Sequence, residues 1–191
     1  GLGNKYNLSK GDINGEVNLN FTVQFPVDYN ISIKDMDLNA IAQLRSVSGK
    51  NLLSQGYKLS EGNFELRLSN NRLDLEGVAN LNEVPFDIKL EENFGSETKR
   101  FQYYTFSSNL NSESQKSLGL NLEPYLDGPF DFDVVVSRLS DESYQAIAAI
   151  DFSATDLHIP EIHWNKISGD KAFLNLVIDI GNSTKSKLSS K

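Results

Sequence analysis

The side chains able to do chemistry are few and scattered. His158 and His163 are the only histidines. Pro160 stands between them and argues against a helix that could bring them together, and no acidic partner pattern surrounds them, so they read as edge or loop imidazoles rather than metal ligands. Asp131 with Asp133, and Asp35 with Asp37, are carboxylate pairs at alternate positions. On a strand each pair shares one face, the solvent side, whereas a glycosidase pair needs a cleft between its carboxylates. Gly1-Leu2-Gly3 lacks both the preceding strand and the third glycine of a dinucleotide fingerprint, and no nucleophile elbow or phosphate loop occurs. The chain has no cysteine, which removes disulfides, thiolate zinc sites and thiol nucleophiles. Trp164 beside Lys166 reads as a structural anchor at the end of a sheet. The sequons at Asn7, Asn20, Asn30 and Asn182 would matter only in a eukaryotic secretory route. The expectation is a non-enzymatic protein without a cofactor or metal.

Length and composition set the frame for these residues. The chain of 191 residues is 39% hydrophobic and 10% aromatic, enough for one domain with a sizeable core. Its net charge is −8, with no basic stripe, which argues against nucleic acid and against attraction to an anionic membrane surface. No apolar run approaches the ~20 residues of a transmembrane helix, and no signal peptide is readable. The start at Gly1 leads to the expectation of an internal segment of a longer protein.

Alternation of apolar and polar residues dominates the chain and predicts strands. Val17, Leu19, Phe21, Val23 and Phe25 form one stripe, ended by Pro26. A turn near Asp28-Tyr29-Asn30 precedes a second stripe of Met36, Leu38, Ala40, Ala42 and Leu44, closed by Ser48-Gly49-Lys50. A meander follows over 56–90: Phe64, Leu66 and Leu68; an Asn70-Asn71 turn; Leu73, Leu75, Ala79 and Leu81; an Asn82-Glu83 turn; then Val84, Phe86, Ile88 and Leu90. Gly77 interrupts its strand where a bulge or a close backbone approach is expected. After a polar loop over 93–99 comes an aromatic strand, Phe101 to Phe106. Ser112 to Leu118 is the one predicted helix, with Ser112 and Gln115 as a capping box and Gly119 as the C-terminal stop.

The longest patterned stretch is a hairpin. Phe130, Phe132, Val134 and Val136 alternate with Asp131, Asp133 and Ser137, and Tyr144 to Ala154 repeats the pattern beyond a polar turn at 140–143. His158 to Trp164 is a less regular β segment broken by Pro160. Ala172 to Ile180 supplies the last strand, and 182–191 reads as a frayed Ser/Lys-rich tail. The expected fold is mainly β: an antiparallel meander of about ten strands over 1–181 forming a one-sided curved sheet or groove, with one short helix near 112–118. So large an apolar face costs on the order of 25 cal/mol per Å² in water. Closure into a sandwich or barrel, packing on neighbouring segments of a longer chain, or a bound lipid would each relieve it.

Three motifs carry a family resemblance. The first is the meander pattern from Gly56 to Leu66 and from Asn71 to Pro85. The second is the helix running into Leu118-Gly119, with Leu126-Asp127-Gly128-Pro129 ahead of a strand. The third runs through Ile150-Asp151-Phe152, Thr155-Asp156-Leu157 and Ile159-Pro160 to Trp164-Asn165-Lys166 and Gly169. Together they resemble the AsmA-like family of bacterial envelope proteins, in particular its YhdP- and TamB-type members with repeating β-grooves. Phe152 stands where that pattern usually has leucine, and Asp156 and His158 are local departures.

The resemblance implies a periplasmic protein held in the inner membrane by a segment not present here, with a groove that passes phospholipid toward the outer membrane. It further implies phospholipid or another acyl-chain lipid, and adjacent β-repeats of the same chain, as partners. An excised segment is expected to be able to dimerise through its apolar face. The groove lining would be Val17, Leu19, Phe21, Val23, Leu66, Leu73, Leu75, Phe86, Ile88, Phe132, Val134, Ile150 and Phe152. The alternative is a β-sandwich or stacking scaffold for protein interactions without a lipid; a carbohydrate-active or adhesin-like domain stands behind both.

Overall fold

A computed structural model describes residues 13–27, 35–50, 56–93, 101–139 and 143–181. The expected turns at 28–30 and 140–142, most of the loop over 93–99, the tail, the Gly1-Leu2-Gly3 segment and the sequons at Asn7, Asn30 and Asn182 lie outside the described residues.

The chain forms β1 (Ile13–Gln24), β2 (Asp37–Lys50), β3 (Lys58–Ser69), β4 (Arg72–Leu81), β5 (Val84–Asn93), β6 (Phe101–Leu110), α1 (Ser112–Ser117), β7 (Leu126–Asp127), β8 (Phe130–Arg138), β9 (Ser143–Asp151), β10 (Asp156–Ile159), β11 (Trp164–Lys166) and β12 (Phe173–Gly181). Nine of these strands make one sheet in the order β1-β2-β3-β4-β5-β6-β8-β9-β12. Every pairing in it is antiparallel, and each strand lies beside its neighbour in the meander. Among the described residues the sheet is not closed, with β1 and β12 at its edges, which sets aside the barrel alternative.

Register decides which side chains share a face, because directly opposed residues point the same way. One row of opposed residues runs Leu19, Ala42, Leu66, Leu75, Leu90, Tyr104, Val136, Ala146, Ile178 across all nine strands. The row beside it runs Val17, Leu44, Phe64, Gly77, Ile88, Phe106, Val134, Ala148, Leu176. The stripes predicted separately therefore add into one continuous apolar face. The opposite face carries amides, carboxylates and cross-strand ion pairs such as Arg72 to Glu91 at 2.8 Å.

Local irregularities keep that face in phase. Between Ser60 and Asn63, β3 carries an extra residue, with Glu61 at φ 54°, and this returns Leu59 to the side of Phe64. Just beyond it Gly77 opposes Phe64, and a Cβ there would sit 2.0 Å from the Asn63 carbonyl oxygen, so the expected close approach is present. The turn at Asn82-Glu83 has φ 47° and 71°, the doubly positive geometry of a two-residue hairpin, and the Asn82 side chain accepts from the Lys58 amide at 2.9 Å. Strand β2 ends at Lys50, within the Ser48-Gly49-Lys50 expected to close it, after a bulge at Ser46, φ 50°.

Two excursions leave the meander, and they build a cover the sequence reading does not foresee. One, between β6 and β8, holds α1 and β7; the other, between β9 and β12, holds β10, a 3-10 turn (Pro160–Ile162) and β11. They meet as a small antiparallel sheet, β11-β10-β7. The chain thus covers its own apolar face over one end of the sheet, where Leu126 joins Leu59, Phe64, Leu81, Val84, Phe86, Leu110 and Phe130 in the buried core.

The capping expectation also changes. Asn111, not Ser112, is the N-cap of α1, its side chain accepting from the Ser114 amide at 2.9 Å. Gln115 turns inward instead and donates to the carbonyls of Leu110 and Gly128, tying the helix to the end of β6 and to the link between β7 and β8. Gly119, φ 77°, ends the helix as expected, with its amide bonded to the Lys116 carbonyl and the Leu120 amide to that of Gln115.

Candidate functional site: an apolar pocket under the lid

Between the apolar face and this lid lies a pocket of about 710 Å³. Its floor is Phe86 of β5, Phe106 and Leu110 of β6, Phe132 and Val134 of β8, Ile150 of β9 and Leu174 of β12. Phe152, just past β9, and Phe130 flank the floor with ring centroids 5.3 Å apart. Leu118, Leu120, Leu122 and Tyr125 on the stretch after α1, with Leu157 and Ile159 of β10, make the roof. Every lining side chain is aliphatic or aromatic, and the polar atoms among them are the phenol oxygens of Tyr57 and Tyr125. A pocket of this size falls in the ~300–1,000 Å³ range of small-ligand sites. It can enclose hydrocarbon, and it offers no carboxylate, imidazole or amine to a reacting group.

The roof is held by polar contacts outside the pocket. Lys166 is buried, 6% exposed, and its Nζ donates to the carbonyls of Phe152, Thr155 and Ile167 at 2.9, 2.8 and 3.0 Å, with Ser153 at 3.4 Å. Thr155, fully buried, donates its hydroxyl to the Pro129 carbonyl. The Tyr125 hydroxyl donates to Glu161 at 3.0 Å. That bond to a carboxylate, reinforced by the negative charge, holds the phenol in its neutral form and raises its pKa above the ordinary 10.0.

All the predicted groove residues face the apolar side, but they do not share one environment. Phe86, Phe132, Val134, Ile150 and Phe152 line the pocket. Ile88 is in the buried core and Leu75 packs against it. Val23, Leu66 and Leu73 are half-buried on the uncovered part of the face. Val17, Leu19 and Phe21 on edge strand β1 are 65%, 55% and 58% exposed, well away from the lid. The structure thus divides the expected rail into an enclosed end and an open end.

Sequence reasoning misses the roof. Leu118, Leu120 and Leu122 alternate, as do Leu157 and Ile159, but each run is too short and too interrupted by Gly119, Pro124, Gly128 and Pro160 to register as a strand. The chemistry-bearing residues are not gathered at the pocket. His158 sits in β10 hydrogen-bonded to Asn165, and His163 is the left-handed residue after the 3-10 turn. Asp131 accepts from Asn109 at 2.8 Å on the outer face, and Asp37 accepts from Asn70 at 3.3 Å. Among the described residues no cluster of three metal-ligating side chains exists, and no helix is long and apolar enough to cross a membrane.

Comparison with protein-family models, with curated proteins and with solved structures finds no match.

Proposed function

We propose that the chain is a non-enzymatic lipid-binding β-groove segment, in which an acyl chain lies in the pocket beneath the lid. The observation that carries this reading is the lining: about 710 Å³ bounded by hydrocarbon and aromatic side chains alone. About a dozen methylenes moved from water into such a site contribute ~0.8 kcal/mol each, on the order of 10 kcal/mol before ordering losses. The absence of charged side chains in the lining suits a ligand whose polar head stays outside. The continuation of the apolar face beyond the lid to Val17, Leu19 and Phe21 gives a longer lipid, or one in transit, a surface to follow.

Within this reading the chain belongs to a periplasmic, inner-membrane-anchored protein of AsmA-like type that moves phospholipid between membranes, with adjacent β-repeats of the same parent as its neighbours. Native mass spectrometry of protein from a bacterial host, followed by lipid extraction, tests it. Co-purified phospholipid is expected, together with saturable uptake of a fluorescent fatty acid. Phe132→Asp removes both in folded protein while Phe21→Asp retains uptake, because only Phe132 lines the pocket. Loss in both variants would transfer the ligand to the open face. Protein free of lipid and unable to take up acyl chains would end the proposal and favour the stacking scaffold.

A further inference from the structure

Edge strand β12 is unlike any other strand in the sheet. Among the described residues it pairs only with β9. Apolar side chains project from both of its faces: Leu174, Leu176, Ile178 and Ile180 on the groove side, 39–49% exposed, and Phe173 and Val177 on the outer side, both 65% exposed. It contains no proline or lysine, its register with β9 is unbroken, and its one charge is Asp179. Natural sheets guard open edges with such features, and an unguarded apolar edge is a template for another strand.

The outer face adds an independent mark. Val135 of β8 opposes Ile147 of β9, which opposes Val177. These three are 36%, 45% and 65% exposed, a continuous apolar stripe that deepens toward the edge, where elsewhere the outer face carries separate exposed apolar residues such as Ile41, Val78 and Tyr103. On the far edge, by contrast, the outer face of β1 presents Asn18, Asn20 and Thr22.

We propose that β12 pairs antiparallel with the β12 of a second copy, about a two-fold axis through Val177. In that register Leu176 faces the partner's Ile178, Leu174 the partner's Ile180, and Asn175 the partner's Asp179, an amide against a carboxylate. The stripe Val135, Ile147, Val177 runs on into its own image. Sliding by two residues sets Asp179 against Val177 or Phe173, and sliding by four in one direction sets it against its own like charge. A one-residue slip exchanges the faces altogether. Self-pairing about a dyad is the isologous arrangement commonest among oligomers, and here it leaves the groove face of both copies on the same side. This is edge-to-edge association, distinct from burying one apolar face on another, and it does not depend on the lipid reading.

The chain has no cysteine, so single-cysteine variants report the register without background. Opposed Cα atoms in an antiparallel pair lie about 4.5–5.5 Å apart, within disulfide reach, whereas a diagonal neighbour at ~7–8 Å is beyond it. Under mild oxidation Val177→Cys is expected to give a disulfide dimer in at least tenfold higher yield than Ile178→Cys. Sedimentation should show the unmodified chain as a dimer, and Val177→Lys, at an exposed position with its circular dichroism unchanged, as a monomer. A monomeric parent chain, equal cross-linking of the two cysteine variants, or a dimer that survives Val177→Lys would each overturn the proposal.

Discussion

Asp151 ends β9 and turns its carboxylate onto the start of the lid excursion, accepting from the Ser153 amide at 2.8 Å. Hydrogen bonds from the Ser153 side chain and backbone, with smaller attraction from Lys166 and Lys171, lower its pKa below the ordinary 3.8. A carboxylate depressed in the folded state contributes stability above its unfolded pKa, and that contribution is lost as pH falls through the folded value. Acid unfolding of the parent chain should therefore show an added loss of stability below about pH 4, and Asp151→Asn should flatten that part of the profile while leaving neutral-pH spectra unchanged. Urea midpoints collected across the acid range are the check; parallel profiles for the two proteins would remove Asp151 from the account. Gly77 illustrates a different residue-scale constraint. The neighbouring Asn63 carbonyl occupies the place of any side chain, so the position is set by backbone packing alone. Its role was legible in the sequence because a lone glycine inside an alternating strand has few other physical explanations.

The lid is the element whose stability decides whether the pocket has a roof. It has little core of its own, and Lys166 ties four backbone carbonyls from both ends of its second excursion to one ammonium group. An ammonium has three protons, so the longest contact, to Ser153, shares one of them. Lys166→Met keeps the length of the side chain and removes every donor, leaving buried carbonyls unpaired. The expected cost is about 3 kcal/mol, since an unsatisfied buried acceptor costs ~1–3 kcal/mol and bonds to a charged donor are worth ~1.5–3 kcal/mol. Equilibrium denaturation measures this directly, and fatty-acid uptake should fall with it; a loss under 1 kcal/mol would show that packing alone holds the lid. The strands of the main sheet were readable because alternation repeats over nine or more residues in nearly all of them. The lid was not, since β7, β10 and β11 span only 2, 4 and 3 residues and pair across the two excursions. Trp164, expected as an anchor at a sheet end, is 42% exposed, and the neighbouring Lys166 is the side chain that holds the lid.

At the scale of the whole molecule, the apolar direction of every predicted groove residue was available from period-two patterning, but enclosure was not. Exposure depends on which strands the lid overlies, and that is fixed by a long-range pairing of Asp156 and Leu157 with Asp127 and Leu126. The same architecture governs how the molecule comes apart. In the nine-stranded sheet, each strand's ladder partners are its immediate neighbours in the meander, so the sheet behaves as a one-dimensional array, with stability summed from successive interfaces. Such an array opens from its ends, and the lid braces only one part of it. Amide hydrogen exchange should grade accordingly: fastest in β1, slower through β2 and β3, and slowest in β5, β6 and β8, where the lid adds a second layer. Uniform exchange across all nine strands would mean a single cooperative unit instead. If the gradient is present, the protein is a firm clamp at one end and a peeling ribbon at the other, and its open rail can change length by fraying without unloading the pocket.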